Sequence, residues 1–184
     1  MIKLKFFGLG GQGIVTAAKV LSAAVSLHEN KYAITVPSYG AERRGAPVYT
    51  SIIIDEQPVL LNCFVYEPDI VLATDDSLMD RNINIGEGIP ENAVLVINTK
   101  SLDNARMHKA RFGFSQVYYV NATEIAVKSI GRTITNSSML GAIAKTGLVN
   151  IESVEKALIE TFGEKGGAAN AKAAREAYER CAVM

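Results

Sequence analysis

The sequence predicts an α/β fold: a Rossmann-like, doubly wound, mostly parallel sheet with an antiparallel pair and a helical C-terminal portion. Three observations lead to this class. A short apolar run ends in a glycine-rich loop, and a segment with helical periodicity follows it at once. Further apolar runs of strand length alternate with polar or helical stretches. The last third is rich in alanine, with apolar residues at helical spacing.

Strands are expected wherever a short apolar run is bounded by turn residues. The first covers residues 2–7, and a helix with one apolar face follows it from Ile14. Two runs, at 47–55 and 58–65, are separated by only two residues, which predicts that they form the antiparallel pair. The remaining strands are expected at residues 31–36, 69–74, 93–98 and 117–122.

The C-terminal third is expected to be helical, because its glycines fall where helices stop. The expected helices cover about 123–130, 136–146, 151–162 and 166–182. The stretch between the strands at 93–98 and 117–122 is basic, and we interpret it as a solvated surface connection. With 184 residues, no linker and no internal repeat, residues 1–184 are expected to form a single domain.

Composition narrows the function classes. Lysine plus arginine equals aspartate plus glutamate at 19 each, so no net field favours nucleic acid or an acidic membrane surface. No apolar run reaches the roughly 18 residues of a membrane span, and the strand-like start leaves no room for a signal peptide. The two cysteines, Cys63 and Cys181, are far apart, which is typical of reduced thiols in the cytoplasm.

Motifs for independent chemistry are missing from the sequence. There is no C-x-x-C set for an iron–sulfur cluster or zinc, and no H-E-x-x-H, G-x-S-x-G or P-loop pattern. His28 and His108, the two histidines, are both expected to be solvated. Asp75 and Asp76 follow a strand, and we interpret them as a helix cap rather than a metal pair. Catalytic and metal-binding residues are therefore not expected.

The glycine loop, residues 8–13, is the first candidate site. Gly8, Gly10 and Gly13 match G-x-G-x-x-G between a strand and a helix. Gly11 and Gln12 lie between them, and the Gln12 side-chain amide is expected to be available to a ligand. This pattern suits a tight turn, close helix–strand packing and an anion at the helix N-terminus. A dinucleotide also needs an acidic residue about 20 residues on, at the end of the second strand. The sequence has Pro-Ser there, so a nicotinamide or flavin dinucleotide is disfavoured.

A second candidate segment, residues 38–44, follows the second strand. If the first two strands are adjacent and parallel, their loops emerge at the same edge of the sheet, and this segment lies beside the glycine loop. Its side chains could bind a phosphate, a carboxylate or the acidic rim of a partner protein. The candidate residues are Ser38, Tyr39, Arg43 and Arg44.

Both segments also carry a family resemblance. The sequences GLGGQGIVTAAKVLSAA and PSYGAERRGAPV, in tandem, closely resemble the gamma subunits of 2-oxoacid:ferredoxin oxidoreductases, most of all those acting on pyruvate. The likeness continues through NATEIAVKSIGRTITNSSMLGAIAKTGLV and the closing GEKGGAANAKAAREAYE, so it spans nearly the whole chain.

The resemblance implies a non-redox subunit of a larger enzyme. Such enzymes decarboxylate a 2-oxoacid on thiamine diphosphate with Mg²⁺, pass electrons through [4Fe-4S] clusters to ferredoxin, and transfer the acyl group to coenzyme A. The thiamine site and clusters would belong to alpha, beta and delta type partners in an anaerobic cytoplasm. This chain would bind none of these cofactors alone.

Four questions stay open. The substrate could be 2-oxoglutarate, a branched-chain 2-oxoacid or indolepyruvate instead of pyruvate. The candidate residues could hold coenzyme A, or they could pack against another subunit. Asn136 is expected to cap a helix, and an interface role for it remains open. In a different functional class, the chain could be a stand-alone nucleotide-binding module.

Overall fold

The computed structural model describes residues 1–38 and 45–184. In this part of the chain seven strands form one sheet, in the order β2-β3-β1-β4-β5-β6-β7. The strands are β1 (Ile2–Leu9), β2 (Tyr32–Pro37), β3 (Pro47–Asp55), β4 (Ile70–Ala73), β5 (Val94–Asn98), β6 (Gln116–Val120) and β7 (Ala182–Val183). The helices are α1 (Ile14–His28), α2 (Leu102–Phe112), α3 (Ala122–Ile130), α4 (Asn136–Ala144) and α5 (Ile151–Arg180).

The sheet is mixed, and the predicted α/β class is confirmed. Strands β1, β4, β5 and β6 are parallel, whereas β3 runs antiparallel to both β1 and β2, and β7 runs antiparallel to β6. The predicted pairing of 47–55 with 58–65 is wrong, since residues 58–65 form no strand. β3 is paired along both of its edges, so it has no free edge to offer the following segment.

Each face of the sheet carries its own apolar core. Helices α1, α3, α4 and α5 cover the first face, where Phe6, Leu72 and Val96 are buried. Helix α2 and residues 76–92 cover part of the second face. The spacing that predicted α1 is confirmed, because its apolar stripe is fully buried. Each completely buried leucine or isoleucine contributes about 1.5–3 kcal/mol, so these two cores fix the sheet edge that carries the candidate site.

The basic connection between β5 and β6 is the helix α2, which the sequence pattern did not predict. Ser101 begins it, with its hydroxyl accepting a hydrogen bond from the Asn104 N–H at 3.2 Å, and Gly113 ends it with φ 82°. The prediction of a solvated His108 is wrong, because this residue lies on the buried face of α2 and is only 1% exposed. Its Nδ1 lies 2.8 Å from the Asn104 carbonyl oxygen.

Helices α3 and α5 end or break at glycines, as the sequence predicted. Gly131 ends α3 with φ 74°, and α5 is interrupted at Gly163, where φ 67° and ψ −176° leave helical geometry. The chain stays helical on both sides of Gly163, as the segments at 151–162 and 166–182 predicted, although α5 ends at Arg180. None of the helices among the described residues is long and apolar enough to cross a membrane.

Candidate functional site

A polar cavity opens at the edge of the sheet where the parallel strands β1, β4, β5 and β6 end. Its volume is about 280 Å³. The loops after these strands line it with hydroxyl, amide and carboxylate groups and with Lys100, and among the described residues that line it there is no histidine or cysteine. These described groups can bind a polar ligand by hydrogen bonds and by charge. Its described lining residues include Gln12, Thr74, Asp75, Asp76, Asn98, Thr99, Thr123 and Thr135.

Two glycines of the loop, Gly8 and Gly13, pack closely against their neighbours. A Cβ at Gly8 would overlap with Thr74 Oγ1 and Ile14 Cδ1, so only glycine lets β1, β4 and α1 approach this closely. Gly13 begins α1 with φ 75°, and a Cβ there would lie 2.8 Å from Asn136 Nδ2. The predicted tight turn and close helix–strand packing are confirmed.

Gln12 ties the loop after β1 to the loop after β4. Its Oε1 accepts hydrogen bonds from the Leu9 N–H at 2.8 Å and the Thr74 hydroxyl at 2.7 Å. Its Nε2 donates to Asp75 Oδ2 at 2.9 Å. The side-chain amide is thus used within the protein, where it fixes the mouth of the cavity.

Backbone pairing also occupies part of the glycine loop. The Gly10 N–H donates to the Ala46 carbonyl at 2.8 Å, and the Gly45 N–H donates to the Gly10 carbonyl at 3.1 Å. These bonds extend the ladder between β1 and β3 beyond the strand ends. The glycine loop is therefore held against the residues that follow the second candidate segment.

The start of α1 is the part of the loop best suited to an anion. Gly11, with φ 96°, and Gly13 turn the chain into the helix. Among residues 1–38 and 45–184 no side chain caps this helix, and its first turn has no acidic residue. The first amides of a helix left in this state attract negative charge through their free N–H groups and the helix dipole.

Ser38, the described residue of the second candidate segment, lies at the same edge, but the order of the strands differs from the prediction. β3 lies between β1 and β2, so the predicted adjacency of those two strands is wrong. β2 nevertheless runs in the same direction as β1, and Ser38, with its N–H bonded to the Tyr49 carbonyl at 3.1 Å, lies at that edge. Three predicted site residues lie outside the described residues: Tyr39, Arg43 and Arg44.

Asn98 is a site residue that the sequence analysis missed. Its Nδ2 donates to the Thr74 carbonyl and to the Thr123 hydroxyl, each at 2.9 Å, while its Oδ1 accepts from the Ala122 N–H at 2.9 Å. One buried amide thereby joins β4, β5 and the start of α3. The available signal was its position, a polar residue that ends an otherwise apolar strand at the carboxyl edge.

The acidic pair after β4 acts as predicted. Asp75 Oδ1 accepts from the Ser77 N–H at 2.9 Å and caps a short 3₁₀ turn, Asp76–Leu78. Asp76 Oδ2 accepts from the Thr99 hydroxyl at 2.7 Å. Within residues 1–38 and 45–184, no group of three or more His, Cys, Asp or Glu side chains could hold a metal ion.

Asn136 does not have the capping position expected for it. Thr135 is the N-cap of α4 and makes no side-chain capping bond, and Asn136 is the first residue of the helix. Asn136 Oδ1 accepts from the Ser137 N–H at 2.8 Å. The helix is therefore capped from its first turn, and the Thr135 hydroxyl stays buried without a hydrogen-bond partner among the described residues.

Comparison with known proteins identifies the family. Residues 3–180 match the family described as pyruvate ferredoxin/flavodoxin oxidoreductase. The pyruvate/ketoisovalerate oxidoreductases common subunit gamma of Thermococcus litoralis is 44% identical over 184 residues, covering 100% of this chain and 98% of that protein. The pyruvate synthase subunit PorC of Methanocaldococcus jannaschii is 42% identical, covering 97% of this chain and 96% of that protein.

A solved structure agrees with the sequence relatives. The pyruvate oxidoreductase subunit PORC of Thermotoga maritima superimposes with a TM-score of 0.84 at 33% identity, covering 100% of this chain and 98% of that one. The similarity thus includes the glycine loop, the mixed sheet and the helical C-terminal portion. The chain belongs to the pyruvate ferredoxin/flavodoxin oxidoreductase family.

Proposed function

We propose that this chain is the gamma subunit of a pyruvate:ferredoxin oxidoreductase. The complex would convert pyruvate and coenzyme A to acetyl-CoA and CO₂, with the electrons passing to ferredoxin. The observation that carries the proposal is end-to-end similarity, at 44% identity, to a protein named as a gamma subunit. A match over the full length of both proteins supports an equivalent role better than a match to one domain of a larger enzyme.

The electron carriers would lie on partner chains. A [4Fe-4S] cluster needs four cysteine ligands, and this sequence has two cysteines in total. We therefore assign thiamine diphosphate, Mg²⁺ and the clusters to alpha, beta and delta type subunits, with ferredoxin binding to the assembled complex. This chain would contribute to assembly and to the handling of coenzyme A.

The choice of 2-oxoacid would also lie on other chains. The Thermococcus litoralis relative is named as a subunit common to pyruvate and ketoisovalerate oxidoreductases, so one gamma chain there serves two substrates. Several relatives are named as pyruvate synthase subunits, which favours pyruvate for this chain. We further propose that the complex works in the cytoplasm of an anaerobic cell.

Coenzyme A would contact the edge of the sheet near the glycine loop. The start of α1, which no described side chain caps, could receive one of its phosphates. Arg43 and Arg44 directly precede Gly45, whose N–H donates to the Gly10 carbonyl of the glycine loop. In the alternative, Ser38, Tyr39 and the two arginines pack against a partner subunit. Gln12 would have an indirect role in either case, because its side chain is bonded within the protein.

The test of the proposed function is reconstitution. This chain would be co-expressed anaerobically with alpha, beta and delta type chains from the same organism, and the purified material analysed for iron and thiamine diphosphate. We expect a complex that contains all of the chains and both cofactors, while the chain purified alone contains neither. Failure of the chain to assemble with those partners would reject the proposal.

A thermal titration tests the ligand. Coenzyme A, NAD(H) and FAD would each be added to the chain alone and to the complex. Ligand at 100 times its dissociation constant stabilises the native state by about 2.7 kcal/mol, so binding raises the melting temperature by several degrees. We expect coenzyme A to raise it. A higher melting temperature with a dinucleotide alone would favour a stand-alone nucleotide-binding module. An unchanged melting temperature with all three ligands would favour packing of the candidate residues against a partner subunit.

A further inference from the structure

Residues 58–66 form an exposed apolar segment, which we call the strap. The strap connects β3 to β4, and nine consecutive residues in it carry no charge. Leu60 is 90% exposed and Tyr66 is 72% exposed, with Leu61 and Phe64 exposed beside them. Single exposed apolar residues are ordinary on protein surfaces, but a run of this length indicates an interaction site.

The strap is anchored to the second face of the sheet. Its one buried side chain, Val65, is 3% exposed, and the Val65 N–H donates to Ser51 Oγ at 2.9 Å. The Phe64 ring packs edge-on against Tyr49, with the ring centroids 6.0 Å apart. These contacts fix the backbone while the leucines and Tyr66 face solvent, so the strap presents a preformed apolar surface.

Acidic residues border the strap at both ends. Glu56 and Glu67 are both exposed, and the residues between them have only apolar or uncharged side chains. A second copy of this chain would bring the same acidic ends against each other, which opposes self-association. A different chain with an apolar patch bordered by lysine or arginine would match the strap in both polarity and charge.

The area of the strap fits the centre of a larger interface. Its four exposed apolar side chains present on the order of 500 Å², which is about the size of the largest apolar patch on a typical monomer, and such a patch is often a binding surface. A stable interface buries roughly 800 Å² on each partner, with an apolar core and a polar rim. The strap thus supplies the core of one such interface and needs the acidic border and its neighbours to complete it.

We propose that the strap docks this chain onto a partner subunit of the oxidoreductase complex, at an apolar patch bordered by basic residues. This proposal rests on the proposed function, because it names the surface by which the gamma subunit joins its partners. In the assembled complex the leucines and Tyr66 would be buried, and Glu56 and Glu67 would face cations at the rim. The cavity at the carboxyl edge of the sheet would have no part in this contact.

The experiment compares two exposed leucines. Leu60→Glu places a charge in the strap, and Leu27→Glu places the same charge on α1, where Leu27 is 69% exposed. Binding of each purified variant to the partner subunits, purified together without this chain, would be measured by interferometry. Leu60→Asn serves as a milder variant, and melting temperatures of all variants verify folding. We expect Leu60→Glu to weaken binding at least 100-fold, Leu60→Asn to weaken it about 10-fold and Leu27→Glu to leave it within 3-fold of the wild type.

Each other outcome counts against the strap in a distinct way. Equal binding by wild type and Leu60→Glu would overturn the docking proposal and leave the proposed function intact. A wild-type chain that is a dimer by light scattering, and that Leu60→Glu converts to a monomer, would assign the strap to a second copy instead. A wild-type chain that does not bind the partner subunits at all would overturn the proposed function together with this inference.

Discussion

Gln12 illustrates how a residue can belong to a site without offering its side chain to a ligand. The sequence predicted an available side-chain amide at the glycine loop, yet both ends of that amide are bonded to Leu9, Thr74 and Asp75. Sequence alone could not reveal this, because Gln12 and Asp75 are 63 residues apart and meet only when β1 and β4 pair. The glycine spacing was predictable, since it depends on local packing.

The hydrogen bond between Gln12 and Asp75 can be tested by replacing its donor with an acceptor. Gln12→Glu keeps the acceptor for Leu9 and Thr74 but sets a carboxylate against Asp75, where Nε2 now donates at 2.9 Å. We expect a loss of about 1–3 kcal/mol in the free energy of unfolding at pH 8, measured by urea denaturation. The double variant Gln12→Glu/Asp75→Asn restores a donor and should recover most of that loss. Equal stability of the single and double variants would contradict the contact.

Glu29 provides a second test at the residue scale, through pH. Its Oε1 accepts from the Asn150 N–H at 2.7 Å, and its Oε2 accepts from Lys31 Nζ at 3.0 Å, joining the end of α1 to the start of α5. Burial raises the pKa of Glu29, but the hydrogen bonds from Asn150 and Lys31 outweigh it, so the pKa lies below its usual value of 4.5.

A lowered pKa means that the folded state favours the carboxylate. The stabilisation from Glu29 is therefore complete above about pH 4.5 and is lost as the pH falls through the lowered pKa. We expect Glu29→Gln to cost about 1 kcal/mol at pH 7 and less near pH 3, as measured by chemical denaturation across that range. A cost that is the same at both pH values would show that the charge contributes nothing.

At the scale of elements, the sequence predicted those whose signals are local. The parallel strands are continuous apolar runs. Helix α3 ends at Gly131 and helix α5 is interrupted at Gly163, and both glycines have positive φ. Helix α2 was missed because its polar surface hides the periodicity, although Ser101 and Gly113 mark its two ends. The strap was mistaken for a strand because its composition matches one, while its exposure depends on β3 having both edges occupied.

The contact between α4 and α5 can be tested at a glycine. A Cβ at Gly141 would overlap with the Ala174 carbonyl oxygen and lie 2.7 Å from its carbonyl carbon, so the two helix backbones touch there. We expect Gly141→Ala to lower the free energy of unfolding by about 1–3 kcal/mol, measured by thermal denaturation.

A second glycine serves as the control. Gly166 lies within α5, and its Cβ would meet nothing closer than Phe162 Cβ at 3.4 Å. Gly166→Ala should therefore stabilise the protein by about 0.5–1 kcal/mol through higher helix propensity. If Gly141→Ala were as well tolerated as Gly166→Ala, the close approach of α4 and α5 would be refuted.

At the scale of the whole molecule, the order of the strands could not be predicted from the sequence. β3 enters the sheet between β1 and β2, a placement decided by long-range pairing and not by any local motif. The glycine loop and Ser38 nevertheless lie at the carboxyl edge, as predicted, because strands that run in the same direction end at the same edge of a sheet. The polar cavity at that edge and the apolar strap on the second face give the molecule two separate surfaces, one suited to a ligand and one to a partner.

The central claim, that this chain completes an enzyme whose redox chemistry lies on other chains, is tested most directly by reconstituted activity. Reduction of ferredoxin dependent on pyruvate and coenzyme A would be measured for this chain alone, for the partner subunits alone and for the mixture. The proposed role predicts that only the mixture is active. Turnover by this chain alone, or full activity of the partners without it, would contradict the claim.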